Sequence, residues 1–243
     1  FLEEQGEIYC VEDRMNLKHD VEELGVQAIL LVEDSIRYYS SYLPYIYKIL
    51  FQQSKRSVLE GLNEHQRMML MRGRPKMILA TNYNEAEQLF LKNKENLIGV
   101  ISDISFNKDG VKDPEAGIKF FYKVRSEDKH MPFLLQSSDA QYESVAQKLG
   151  IAFINKYSKT LSIELRNYII RHLAFGDFVF RNPATGEELC RATDLKSLQE
   201  KILKVPDETI EYHVKQNHFS KWLNARALFP IAKMLKYVSF EDF

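Results

Sequence analysis

Five short, strongly apolar runs punctuate the chain: Ala28–Val32, Met77–Ala80, Leu97–Ile101, Phe133–Leu135 and Ile151–Ile154. Each has the length of a buried strand, and unbroken apolar runs of this kind suit a parallel sheet covered on both faces. Between them the apolar positions follow helical spacing. Ala86, Leu89 and Phe90 fall on one side of Asn84–Lys92, and Ile118, Phe121, Tyr122 and Val124 line Ala116–Val124. Val145, Ala146 and Leu149 do the same in Ala140–Leu149, as do Leu165, Ile169, Ile170 and Leu173 in Leu161–Leu173. Strands alternating with helices predict an α/β fold, a doubly wound five-stranded parallel sheet spanning residues 27–176.

The flanks follow other patterns. Residues 1–26 are acidic, with Ile8, Val11, Met15 and Leu17 near helical spacing, and predict a solvated connector helix with no core of its own. Glu33–Lys76, 44 residues, lies where one helix would suffice. It predicts a long helix bent or interrupted at Pro44, then a second helix ending near Gly73-Arg74-Pro75. Tyr38, Tyr39, Tyr42, Tyr45 and Tyr47 in this stretch read as packing residues. Residues 177–243 open with the turn cluster Asn182–Gly186 and otherwise predict a small helical extension, with Pro230 kinking or splitting its last helix.

Composition narrows the picture. With 33 basic against 34 acidic residues and 45% hydrophobic content in 243 residues, the chain is predicted to be globular, not disordered. The tail from Arg181 onward carries 10 basic and 9 acidic residues, which argues against DNA output. No apolar run approaches the ~20 residues needed to span a bilayer. Cys10 and Cys190 alone make neither a disulfide scaffold nor a four-ligand zinc site. The expectation is a cytoplasmic protein without membrane or DNA partners. The chain begins at Phe1, which suggests a segment of something longer.

In a doubly wound sheet, ligands bind beyond the carboxyl ends of the strands. Those ends carry Glu33 and Asp34, then Asp103, then Ser137 and Ser138, then Lys156. Three clustered carboxylates repel one another unless a cation relieves them, and hard oxygen ligands favour Mg²⁺ over zinc. Other constellations are weaker. Glu211, His213 and His218 offer metal-ligand types, but a spacing of five does not stack two rings on one helix face. No Gly-x-Ser-x-Gly elbow accompanies Ser137 and His172, and no glycine-rich phosphate loop follows the first strand.

Ala28–Ser35, Val100–Asp103, Pro132–Ser138 and Phe153–Lys156, together with the glycine-led segment Ala116-Gly117-Ile118 to Val124-Arg125, resemble in order the receiver domains of two-component response regulators. The resemblance covers about Gln27–Ala174 and implies a flavodoxin-like fold. It implies that Asp103 is the phosphoacceptor and that Asp34, Asp103 and the backbone carbonyl of Ser105 bind Mg²⁺, with Glu33 acting through water. Ser137 would hydrogen-bond the phosphoryl group, Lys156 would pair with it, and Phe153 stands at the family's aromatic switch position. The implied partners are a histidine kinase or phosphotransfer protein, a downstream domain of the same polypeptide and, as a homodimer, a second copy of the chain. The implied chemistry is self-phosphorylation without turnover on an external substrate. The alternatives are a receiver-like interaction module that is not phosphorylated and an aspartyl-phosphate phosphatase, although Ser105 stands where the latter class has its second Asp. The sequence departs from the receiver pattern in the long charged stretch Phe106–Glu115 and in Tyr157, which replaces a proline. More loosely, Thr185–Glu188 and Tyr212–Leu223 resemble segments of large bacterial proteins that join receiver-like domains to a phosphoenolpyruvate synthase-type nucleotide-binding domain.

Overall fold

The computed structural model describes residues 2–58, 73–129, 131–226, 228–236 and 238–242. The chain divides into two compact units, Phe1–Tyr168 and Ile169–Phe243.

The first unit is built on five parallel strands: β1 (Ala28–Val32), β2 (Lys76–Ala80), β3 (Leu97–Asp103), β6 (Phe133–Ser137) and β7 (Ala152–Asn155). Their spatial order is β2-β1-β3-β6-β7, so the winding reverses between β1 and β3. This is the flavodoxin-like doubly wound order, with its switch point at the ends of those two strands. Every residue of β1, β3 and β6 is buried, which explains why they read as continuous apolar runs.

One face of the sheet packs against α3 (Tyr83–Asn93), α4 (Ala116–Glu127) and α5 (Tyr142–Leu149), with Leu30, Val32, Val100, Phe133, Leu135, Phe90 and Phe120 in a common core. α3 starts where Asn82 accepts a hydrogen bond from the Glu85 N–H, a side-chain cap. α5 stops at Gly150, whose φ of 67° suits a glycine C-cap. On the other side α2 (Ile36–Val58) buries Tyr42, Leu43, Ile46 and Leu50. α2 runs unbroken through Pro44. The predicted second helix before Gly73 falls on residues outside those described.

The solvated-connector reading of residues 1–26 is corrected. α1 (Leu2–Leu24) packs on α2 and β2 within the first unit. Its Asp13 is buried, accepting from Arg74 through two 2.8 Å contacts, from the Tyr47 hydroxyl at 2.8 Å and from the Met77 N–H at 3.0 Å. This charge-assisted network pins the helix to the sheet together with a short apolar stripe, in which Cys10 and Leu17 are buried and Leu17 and Val21 join the main core. It approaches α2 closely: a Cβ on Gly6 would lie 2.9 Å from the Pro44 nitrogen.

The charged stretch after β3 folds as a hairpin, β4 (Phe106–Lys108) and β5 (Val111–Asp113). Its two-residue turn, Asp109-Gly110, has φ of 52° and 82°, the double positive φ of a type I′ turn. Phe106 is fully buried and stacks with Tyr83 at 6.5 Å, tying the hairpin to α3.

α6 (Leu161–His172) carries the chain across the division between the units. The second unit is not all helical as predicted. Phe178–Arg181 (β8) and Glu188–Ala192 (β9) form an antiparallel hairpin closed by the Asn182–Gly186 turn. Helices α7 (Leu195–Ile202), α8 (Asp207–Lys215), α9 (His218–Asn224) and α10 (Phe229–Lys236) follow. Pro230 sits in the first turn of α10, where a missing N–H costs nothing. Phe178, Phe180, Leu198, Ile210, Phe219 and Trp222 form a core inside this unit.

Candidate functional site

Strand register determines which side chains meet. Leu31 pairs with Ile101, Asp103 with Gln136, and Gln136 with Ile154. Side chains alternate with a period of two, so Glu33, Asp103 and Lys156 emerge on one face at the carboxyl ends of β1, β3 and β7. Glu33, Asp34 and Asp103 each offer an oxygen within 4.8 Å of the others. The Lys156 ammonium lies 2.6 Å from Glu33 Oε2 and 2.9 Å from Asp103 Oδ2. Asp103 Oδ1 accepts from the Ile104 N–H at 2.8 Å, and Glu33 Oε1 from the Ser35 N–H at 3.2 Å.

Two buried carboxylates share one buried ammonium. Burial holds Glu33 above the ordinary carboxylate range, and the Asp103 charge adds to that while Lys156 opposes it. Burial likewise raises Asp103, against the pull of Lys156. The site thus holds more negative charge than its own cations comfortably neutralise. An all-carboxylate donor set with excess negative charge fits a hard divalent cation, and the residues present fit Mg²⁺.

The remaining expected residues fall at the same edge. Ser137 ends β6 on the opposite face parity from Gln136 and accepts from the Asp139 N–H at 3.1 Å. Ser105 links β3 to β4. Phe153 is half-buried in the edge strand β7, packed against the main core. Gly117 allows α4 to begin directly under the site. Its N–H donates to the Ile104 carbonyl at 2.8 Å, and a Cβ there would lie 2.1 Å from the Asp103 carbonyl oxygen.

Several participants were not singled out from the sequence. The Tyr38 ring, in the first turns of α2, lies 4.2 Å from the Lys156 ammonium, a cation–π contact. The Tyr38 hydroxyl donates to the exposed Tyr157 hydroxyl at 3.0 Å, linking α2 to the segment after β7. Tyr38 therefore departs from the packing role expected of it, whereas Tyr42 and Tyr47 are buried as expected. Lys112, on β5, contacts both oxygens of Asp34 at 2.9 and 3.2 Å. Gln136 is fully buried on the Asp103 face of the sheet. Nothing in local spacing marks Lys112.

In the second unit the histidines pack among aromatic rings, and only the spacing argument about them is corrected. His213 and His218 do meet, with their Nδ1 atoms 2.8 Å apart. They occupy different helices, α8 and α9, separated at Asn217 in a left-handed conformation, so the single-helix spacing argument does not apply. His213 Nε2 accepts from the Arg181 N–H at 3.1 Å, so His213 Nδ1 carries the proton and donates to His218. Burial lowers the His213 pKa to about 4, which keeps the ring neutral. Among the described residues the acidic triad of the first unit is the one cluster with metal-ligand geometry.

No family model matches the chain, and no curated protein matches it significantly. Among solved structures the chain is similar to a response regulator receiver domain protein from Clostridium thermocellum. That match has 18% identity and a TM-score of 0.38, and covers 60% of this chain and 96% of the other. It is also similar to the receiver domain of the hybrid histidine kinase CckA, with 19% identity and a TM-score of 0.33, over 58% of this chain and 98% of the other. No helix among the described residues is long and apolar enough to cross a membrane.

Proposed function

We propose that the first unit is a phosphoacceptor receiver module of two-component signal transduction, phosphorylated on Asp103. The observation that carries this reading is the arrangement of Asp103 itself. Its carboxylate sits at the switch point of the sheet, 2.9 Å from the buried Lys156 and within 4.8 Å of the carboxylates of Glu33 and Asp34.

An oxygen of Asp103 attacks the phosphorus of a phosphohistidine on a kinase or phosphotransfer protein, or of a small acyl phosphate. The bond from phosphorus to the leaving nitrogen or oxygen breaks, the leaving atom keeps the electron pair, and an aspartyl phosphate results. Asp34, Asp103 and the Ser105 carbonyl, with Glu33 through water, would hold Mg²⁺, which supplies neutralisation of the phosphoryl oxygens. Lys156 stabilises the same charge from the other side. Ser137 offers a hydroxyl donor from the adjacent strand end. As it moves toward the phosphoryl group, the half-buried Phe153 repacks and alters the surface beside β7. The unit modifies itself and has no turnover on an external substrate. It acts on a downstream domain of its polypeptide or on a second copy as a homodimer, in the cytoplasm and without DNA contact.

The test is incubation with Mg²⁺ and acetyl phosphate followed by intact-mass spectrometry. One phosphate-sized gain that is absent from Asp103→Asn is expected. No gain together with no beryllofluoride binding would sink the reading in favour of an idle interaction module. Multiple turnover on a phosphomonoester would sink it in favour of a phosphatase.

A further inference from the structure

The hairpin inserted after Asp103 reaches back to the site through one side chain. Lys112 spans from β5 to both carboxylate oxygens of Asp34, at 2.9 and 3.2 Å. Its partner is one of the three acids whose oxygens lie within 4.8 Å of one another. The arm that carries Lys112 is fixed independently of this contact. Phe106 is fully buried, the Lys108 ammonium lies 4.2 Å from the Tyr83 ring, and the Asn84 amide donates to Asp109 at 3.0 Å. Asp113, the next residue, is held by Lys119 at 2.7 Å. The backbone of the arm therefore stays in place whether or not Lys112 remains on Asp34.

Lys112 and Lys156 differ in one decisive respect. The Lys156 side chain is 3% exposed and locked between Glu33 and Asp103, whereas that of Lys112 is 57% exposed. Lys112 can swing into water at little cost; Lys156 cannot. With both lysines in place, three carboxylates face two ammoniums. When Lys112 leaves, the deficit grows by one charge, and the Asp34 oxygens become open to another cation.

We propose that Lys112 is a built-in counter-cation that competes with the divalent metal for Asp34 and so sets the metal affinity of the site. The inference rests on the receiver reading of the same site. It implies that the hairpin is a tuning device: the chain keeps its acidic pocket partly neutralised until the metal concentration is high enough to displace one flexible lysine.

The experiment is a titration of the full chain with Mn²⁺, read by loss of the free-ion electron paramagnetic resonance signal, in wild type and four variants. Lys112→Met is expected to bind Mn²⁺ about fivefold more tightly, the size of effect that an exposed ion pair exerts. Lys112→Arg is expected to stay near wild type, because the competing charge remains. Lys119→Met removes a charge of the same sign from the start of α4, beside the hairpin, without vacating Asp34 and is expected to leave the affinity unchanged. Asp34→Asn is expected to lose binding. Equal or weaker binding by Lys112→Met, with Asp34→Asn still defective, overturns the inference and leaves the receiver reading standing. Tightening of equal size in Lys119→Met overturns it too, since the effect would then be one of net charge. No Mn²⁺ binding by wild type or by Lys112→Met overturns both.

Discussion

Buried between Glu33 and Asp103, the Lys156 ammonium pairs with two carboxylates that are largely removed from water. Removing it leaves both anions uncompensated, so Lys156→Met is expected to cost about 3 kcal/mol or more at neutral pH, measured by urea denaturation. The loss should shrink in acid, where the carboxylates can take up protons. Glu33 and Asp103 are both raised above their unfolded values of about 4.3 and 3.9. Groups raised in this way favour the folded state at low pH, and that contribution is lost as pH rises through their folded values. Metal-free protein in a chelator should therefore lose stability between pH 5 and neutrality, and Glu33→Gln should flatten that slope. Thermal unfolding across this range checks both; a slope that is absent in wild type, or unchanged in Glu33→Gln, would contradict the electrostatic account. These residues were legible in the sequence because each ends an apolar run, and strand parity alone brings Glu33, Asp103 and Lys156 to one face. Lys112 and Tyr38 were not, because their contacts cross 78 and 119 residues of sequence and depend on a folded hairpin and a docked helix.

At the level of elements, α1 and α4 are positioned by different physics. α1 depends on Asp13, which is 1% exposed and meets Arg74 in a paired contact at 2.8 Å. Asp13→Ala strands the Arg74 guanidinium in a buried setting and is expected to cost roughly 3–5 kcal/mol. Hydrogen exchange should show the amides of α1 exposed first; uniform loss of protection would contradict the view that this network docks the helix. α4 depends on the missing side chain of Gly117. Gly117→Ala drives a methyl into the Asp103 carbonyl, so the helix or the β3 end must shift. The expected result is a loss above about 2 kcal/mol, and a poorer phosphoacceptor even where the protein still folds. Unchanged stability and phosphorylation would show that the helix start has slack. The five parallel strands could be read from their apolar runs. The hairpins could not, because β4, β5 and β9 carry exposed and charged residues with no apolar run to mark them. Asp109-Gly110 was the overlooked signal, a dipeptide suited to a two-residue turn. The acidity of α1 misled in the opposite sense, since the residue that holds it is itself an acid.

Across the whole molecule, a parallel sheet with its switch point at Asp103 stands in one unit, and a hairpin with short helices around Trp222 stands in the other. The apolar runs show five strands but not which are neighbours; only the resemblance to receiver domains implied a sheet order. The order β2-β1-β3-β6-β7 is what brings the ends of β1 and β3 together and makes three scattered acids one site. The central claim is that this site is a phosphoacceptor with Asp103 as the residue modified. Its most direct test is reductive mapping after exposure to Mg²⁺ and acetyl phosphate. Borohydride reduces an aspartyl phosphate to homoserine with release of phosphate, and peptide mass spectrometry locates the product. Homoserine at position 103, dependent on both Mg²⁺ and the phosphodonor, is the expected result; modification at another residue, or none at 103, would contradict the account.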